Sequence, residues 1–160
     1  MPSTNATPAL PPHKTSPGTP CTTAMTFIDT NIVLYAVCAD AADRAKSGVA
    51  RAILRRDDLA LSVQVLQEFY VQATRPTRTQ PLSHEEATAL IRLWQRFHVQ
   101  ENTVALVNAA LAARHRFQLS LWDAAILEAA RAAGCRELLS EDFSAGQDYD
   151  GLRVSNPFAV

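Results

Sequence analysis

The chain has 160 residues, with 15 Lys plus Arg against 16 Asp plus Glu and a formal net charge of −1. That length is one domain with room for a real core, and the charge balance excludes a whole-surface basic field, so any nucleic acid must be held by a local patch or through a metal ion. No apolar run nears the roughly 20 residues of a membrane span, and the three cysteines lack the Cys-x-x-Cys spacing of a zinc knuckle, so reduced thiols and a cytoplasmic location are expected.

In chain order, residues 1–24 (MPSTNATPALPPHKTSPGTPCTTA) are rich in Pro, Ser and Thr and lack apolar periodicity. Such a segment cannot offset the entropy of ordering and has no secretory h-region. It is expected to be either a disordered tail or an artefact of start-site choice, with the domain proper spanning 25–160. TFID then reads as a buried strand, and residues 30–37 as a short helix. Asp43 to Arg56 reads as an amphipathic helix with Val49, Ile53 and Leu54 inward. LALS is a second strand, and its Ser62 can N-cap a helix running to about Arg75. Pro76 and Pro81 bracket a loop. Ser83 to Glu86 is a capping box that opens a helix to about Phe97; the helical spacing of Leu90, Ile91, Leu93, Trp94 and Phe97 suits the core. A short strand near Val99 precedes helices at about Thr103–Phe117 and Ser120–Ala133, the second stopped by Gly134. RELLS and LRVSN are strands. Strands separated by helices imply an α/β fold with a mainly parallel sheet between helical layers.

Four acids stand in or at the end of apolar segments: Asp29, Glu68, Asp123 and Asp142. Carboxylates avoid burial unless paired, hydrogen-bonded or bound to metal. In a parallel sheet the C-terminal strand ends share one edge, where ligands bind. Asp29 ends the first strand, Asp142 follows Ser140 beyond RELLS, and Glu68 lies in the second turn of the helix leaving LALS, so these three are expected as neighbours. Asp123, in the first turn of its helix, joins them if that helix points its N-terminus at the crevice. Gathered carboxylates raise one another's pKa. Mg²⁺ or Mn²⁺ would relieve the repulsion, since hard cations prefer carboxylate oxygens, and no His or Cys joins the set to suggest zinc. Plainer roles compete: Asp29 could cap the following helix, Glu68 could belong to a polar face with Gln64 and Gln72, Asp123 could answer its helix dipole, and Asp142 competes with Glu141.

FIDTNIVLYA, SVQVLQEFY, LSLWDAAILEAARAAGCRELLSEDF and GLRVSNPF, in this order and with these gaps, resemble a PIN domain, specifically the VapC-type toxins of toxin–antitoxin pairs. The resemblance runs from Met25 to Phe158. It implies a three-layer α/β/α fold, a Mg²⁺- or Mn²⁺-dependent endoribonuclease, a homodimer, and a VapB-like antitoxin partner that fills the active site. Asp29, Glu68 and Asp123 match the family's first three acids. Asn31 matches a polar residue near the metal site, and Ser140 and Asp142 match a hydroxyl-x-Asp pattern, with Glu141 adjacent. Asp29, Asp123 and Asp142 would then hold metal, Glu68 would ligate or orient the attacking water, and cleavage would leave a 3′-hydroxyl and a 5′-phosphate. Arg44, Arg75 and Arg78 are candidates to position the RNA backbone.

Two rival classes bear on these residues. A haloacid-dehalogenase-like phosphatase needs a second Asp two positions after the nucleophile, but Asn31 stands there and cannot shuttle a proton. A catalytically silent RNA- or antitoxin-binding module would use a surface such as TALIRLWQRF and would bind without cleaving.

Overall fold

In the computed structural model, which describes residues 24–144 and 146–159, β1 (Thr26–Ile28) lies at the centre of a six-stranded sheet. The expectation for the N-terminal segment falls almost wholly outside the described residues. The strand order is β3-β2-β1-β4-β6-β5. β1 pairs in parallel with β2 (Leu59–Ser62) on one side and β4 (Glu137–Leu139) on the other. β3 (His98–Gln100) extends the sheet beyond β2, and β6 (Leu152–Ser155) extends it beyond β4, both parallel. β1 and β2 are buried at every residue, as strands covered on both faces must be.

Among the described residues six α-helices flank the sheet in the expected three-layer α/β/α arrangement: α1 (Thr30–Ala36), α2 (Arg44–Ile53), α3 (Val63–Ala73), α4 (His84–Trp94), α5 (Val104–Phe117) and α6 (Leu121–Ala132). α1 packs on α2 and α3, α3 on α4, and α5 on α6. Local chemistry sets their starts. Ser62, Thr103 and Ser120 each accept a bond from a backbone N–H in the first turn of α3, α5 and α6. Ser83 and Glu86 form the reciprocal capping box of α4. Gly134, at φ +74°, follows α6 in the left-handed conformation that glycine adopts without penalty.

Two expectations are corrected, and one strand is added. Val49 is 39% exposed, because α2 packs through the small residues Ser47 and Ala50 and Val49 lies roughly 100° round the helix from Ala50; Ile53 and Leu54 do pack against the core. Leu93 is 56% exposed for the same reason, flanking the face on which Ala87 and Trp94 are buried and Leu90 and Ile91 pack. The sheet also ends in an unanticipated antiparallel strand, β5 (Asp148–Tyr149), joined to β6 by Asp150 and Gly151. Both turn residues have positive φ, 56° and 86°, the conformation of the tight hairpin that Asp-Gly favours.

Candidate metal centre at the β1–β4 crevice

The sheet reverses its winding at β1, with β2 to one side and β4 to the other. At such a switch point the connections leave in opposite directions and open a crevice at the carboxyl ends of the strands. Asp29 follows the last residue of β1, and its backbone N–H bonds to the Leu139 carbonyl at the end of β4. Asp29 also serves as the N-cap of α1, accepting from Thr30 N–H at 2.6 Å, so the capping role weighed for it is real. Its second oxygen accepts from the Ser140 hydroxyl at 2.7 Å.

Ser140 is fully buried and uses all its hydrogen-bonding capacity. It donates to Asp29 and accepts from Asn31 Nδ2 at 3.2 Å and from Asp142 N–H at 3.1 Å. Asn31 Nδ2 also donates to Asp142 Oδ2 at 3.1 Å. Glu68, from the second turn of α3, accepts from the Thr30 hydroxyl at 2.6 Å and from Gln64 Nε2 at 2.9 Å. Asp29, Glu68 and Asp142 are therefore brought together through Thr30, Asn31 and Ser140.

Asp123 stands outside this network. Its carboxylate accepts from the Ser120 hydroxyl at 2.7 Å, and its N–H bonds back to the same oxygen at 3.1 Å. The first turn of α6 nevertheless reaches the crevice, because Gln64 Nε2 bridges Glu68 to the carbonyl of Trp122 at 3.3 Å. Glu141 points elsewhere. It accepts from Tyr35 Oη at 2.6 Å and pairs with Lys46 Nζ at 2.6 Å, so the carboxylate bonded into the Asp29 network is that of Asp142.

Burial pushes the Asp29 carboxyl from its ordinary 3.8 up to about 7, against the lowering effect of bonds from Ser140 and Thr30, with repulsion from Asp142 and Glu68 adding to the rise. Asn31 Oδ1 is buried and has no hydrogen-bond partner among the described residues. A group of this kind normally finds a partner. An all-oxygen set of clustered carboxylates beside an orphaned amide oxygen fits a hard divalent cation such as Mg²⁺ or Mn²⁺.

The surroundings hold features that sequence reasoning did not single out. A cleft of about 350 Å³ adjoins Asn31 and Glu141 and is lined by Tyr35, Cys38, Asp43 and Arg78 among others. In it Cys38, Asp40 and Asp43 bring ligand-capable atoms within 4.8 Å of one another. The Cys38 thiol is spent on the two carboxylates, at 3.6 and 3.8 Å, and its softness suits a hard cation poorly. Their spacing over six residues was a visible signal. Of the candidate arginines, Arg78 lines this cleft, Arg44 lines a separate one beside Ser47 and Arg51, and Arg75 is exposed. Among the described residues none of the three forms an ion pair.

A mainly parallel sheet between helical layers, with carboxylates gathered at its switch point, defines an α/β domain with an acidic crevice. The family model of the PIN domain matches residues 26–145, and the chain belongs to that family. Its fold is similar to a toxin–antitoxin complex from Klebsiella pneumoniae, at 20% identity and a TM-score of 0.61, covering 84% of this chain and 99% of that one. It is also similar to VapC20 of Mycobacterium tuberculosis, a sarcin–ricin loop cleaving toxin, at 23% identity and a TM-score of 0.56, covering 71% and 86%. DNA-bound VapBC from Salmonella typhimurium aligns at 15% identity and a TM-score of 0.58, covering 84% and 98%. At these identities the likeness is one of fold. No curated protein matches the chain in sequence.

Proposed function

We propose that this PIN domain is a Mg²⁺-dependent endoribonuclease, the toxin of a toxin–antitoxin pair, acting in the cytoplasm. The observation that carries the reading is the linked set of Asp29, Ser140, Asn31 and Asp142 with Glu68 bonded to Thr30 beside it. That arrangement concentrates carboxylates where an uncompensated cluster would be costly. Asp29, Asp123 and Asp142 would hold the ion, and Mn²⁺ would substitute. Bound there, a hard cation would activate water and neutralise charge at a phosphodiester. The protein's own part is positional. Ser140 fixes the Asp29 carboxylate, Asn31 fixes that of Asp142, and Thr30 with Gln64 fixes Glu68, whose oxygens would orient the attacking water. Arg78, unpaired at the edge of the adjoining cleft, would hold the RNA backbone, with Arg44 and Arg75 further out.

A VapB-like antitoxin and a second copy of the chain are the proposed protein partners. An exposed row on α5, Val104, Val107 and Leu111, offers apolar surface of the kind such partners cover. The test is induced expression of the wild type and of Asp29→Asn, scored for growth arrest and RNA loss, together with cleavage of purified RNA with Mg²⁺ and with chelator. Arrest and Mg²⁺-dependent cleavage by the wild type alone are expected. Cleavage retained by the variant, after controls for contaminating nuclease, would overturn the reading. A silent RNA- or antitoxin-binding module is the second reading, favoured by the commitment of the Asp123 carboxylate to Ser120. It requires RNA affinity with no cleavage under any divalent metal.

A further inference from the structure

Trp122 is the most exposed aromatic feature beside the acidic crevice. It is 66% accessible, whereas the other tryptophan, Trp94, is 3% accessible and packs edge-on against Phe69. It occupies the first turn of α6, immediately before Asp123. Its backbone is anchored, because Gln64 Nε2 ties the Trp122 carbonyl to Glu68. It borders a cleft of about 470 Å³ lined by Gln64, Gln67, Glu68, Val71 and Gln72. Glu68 is thus a wall of both the cleft and the acidic centre.

An indole left in water beside a reactive site is poorly explained by folding, since burial would stabilise the protein more. Every nucleobase has a π-face that stacks on an aromatic side chain, and stacking is available only where the base is unpaired. The amides of Gln67 and Gln72 each offer a donor and an acceptor, suited to base edges. Within the cleft, Val71 and the indole are the apolar residues among glutamines and Glu68, with the apolar groove of Val63, Leu66 and Ile91 lying beyond Val71.

We infer that Trp122 is a stacking platform for an unpaired RNA base next to the bond being cut, so that the enzyme selects single-stranded RNA. This rests on the nuclease reading and adds to it the state of the substrate and the residue that reads it. Trp122 contacts substrate away from the reacting phosphate, so it contributes binding.

The test pairs kinetics with fluorescence on the full chain. With a short unstructured RNA, Trp122→Ala is expected to raise KM about tenfold or more with kcat little changed. Trp122→Phe should restore most of the loss, and the same RNA in a duplex should be a poor substrate. In the non-cleaving Asp29→Asn background, the single strand should quench tryptophan emission, and the duplex should not. Trp122→Phe in that background should remove the quench, since Trp94 is buried. If the wild type cleaves RNA but Trp122→Ala keeps its KM, or loses kcat alone, the inference fails while the nuclease reading stands. If the wild type cleaves nothing, the nuclease reading fails; quenching by the single strand would still support the platform, and its absence would overturn both. Quenching by the cognate antitoxin with none by RNA would reassign Trp122 to a protein interface.

Discussion

The two sides of the acidic crevice are built differently. On the β1–β4 side, the buried Asp29 and the exposed Asp142 are tied by hydrogen bonds from Ser140 and Asn31 between residues more than a hundred positions apart. On the α6 side, Asp123 is held by Ser120, three residues away, at the exposed start of a helix. A buried, cross-linked carboxylate has its position dictated by the whole sheet and is costly to leave charged. Asp123, half-buried and bonded only within its own helix turn, can move with its helix end. The β1–β4 side is therefore preorganised, whereas the α6 side can adjust when an ion or substrate arrives. The same contrast ranks the effects of disrupting each side.

The largest effect falls on Asp29. Asp29→Asn is expected to abolish Mg²⁺-dependent cleavage while leaving the protein folded, because the amide keeps the shape and its one oxygen can still accept from Thr30 N–H. It should also make the metal-free protein more stable at neutral pH. The folded carboxyl titrates at about 7 against an ordinary 3.8, so between those values the folded state keeps a proton that the unfolded chain has lost. Stability from this group is greatest below about pH 4, falls as pH rises towards 7, and stays low above. Thermal melts of the metal-free wild type and of Asp29→Asn should diverge over that window, with the variant higher by several degrees at pH 7. Mg²⁺ should raise the melting temperature of the wild type alone. Parallel pH curves for the two proteins would show that Asp29 is not held as described.

Ser140→Ala comes next. It removes the one hydroxyl that donates to Asp29 while accepting from Asn31 and Asp142 N–H. Orienting partners of this kind typically carry about 10- to 100-fold in metal affinity, so Mg²⁺ titrations of cleavage should shift by that order. On the other side, Ser120→Ala should cost about 1 kcal/mol through loss of a helix cap and only a few-fold in activity. A loss as large as that of Ser140→Ala would mean that Asp123 is as rigidly required as Asp29.

The same division separates what the sequence discloses from what it conceals. Strand TFID, the caps Ser62 and Ser83, and the stop at Gly134 rest on local chemistry and could be read directly. So could the meeting of Asp29, Glu68 and Asp142, since strand ends in a parallel sheet share an edge. The hairpin of Asp150 and Gly151 was written in the Asp-Gly pair but is only two residues deep, too short for an alternating pattern to announce it. Val49 and Leu93 mislead because helical spacing marks a face without saying which residues lie at its centre. The roles of Thr30, Gln64 and Ser140 were not legible as bonds. Thr30 reaches Glu68 across 38 positions and Asn31 reaches Ser140 across 109, and such contacts exist only after the sheet register is set.

The smallest effect distinguishes adjacent carboxylates. Glu141 and Asp142 are neighbours in sequence, yet one joins the Asp29 network and the other is taken by Tyr35 and Lys46. Glu141 and Tyr35 hold the Lys46 ammonium above its ordinary basicity, but the pair is partly open to solvent, so little stability goes with it. Glu141→Gln keeps an acceptor for Tyr35 and loses only the charge. It should leave the Mg²⁺ dependence and rate of cleavage unchanged and the melting temperature nearly so. Asp142→Asn, measured in parallel, should lose most activity, because its carboxylate is one of those proposed to hold the ion. If the two variants exchanged outcomes, the ion would be held from the Lys46 side of the crevice, and the division between the buried and the adjustable carboxylates would have to be redrawn around Glu141.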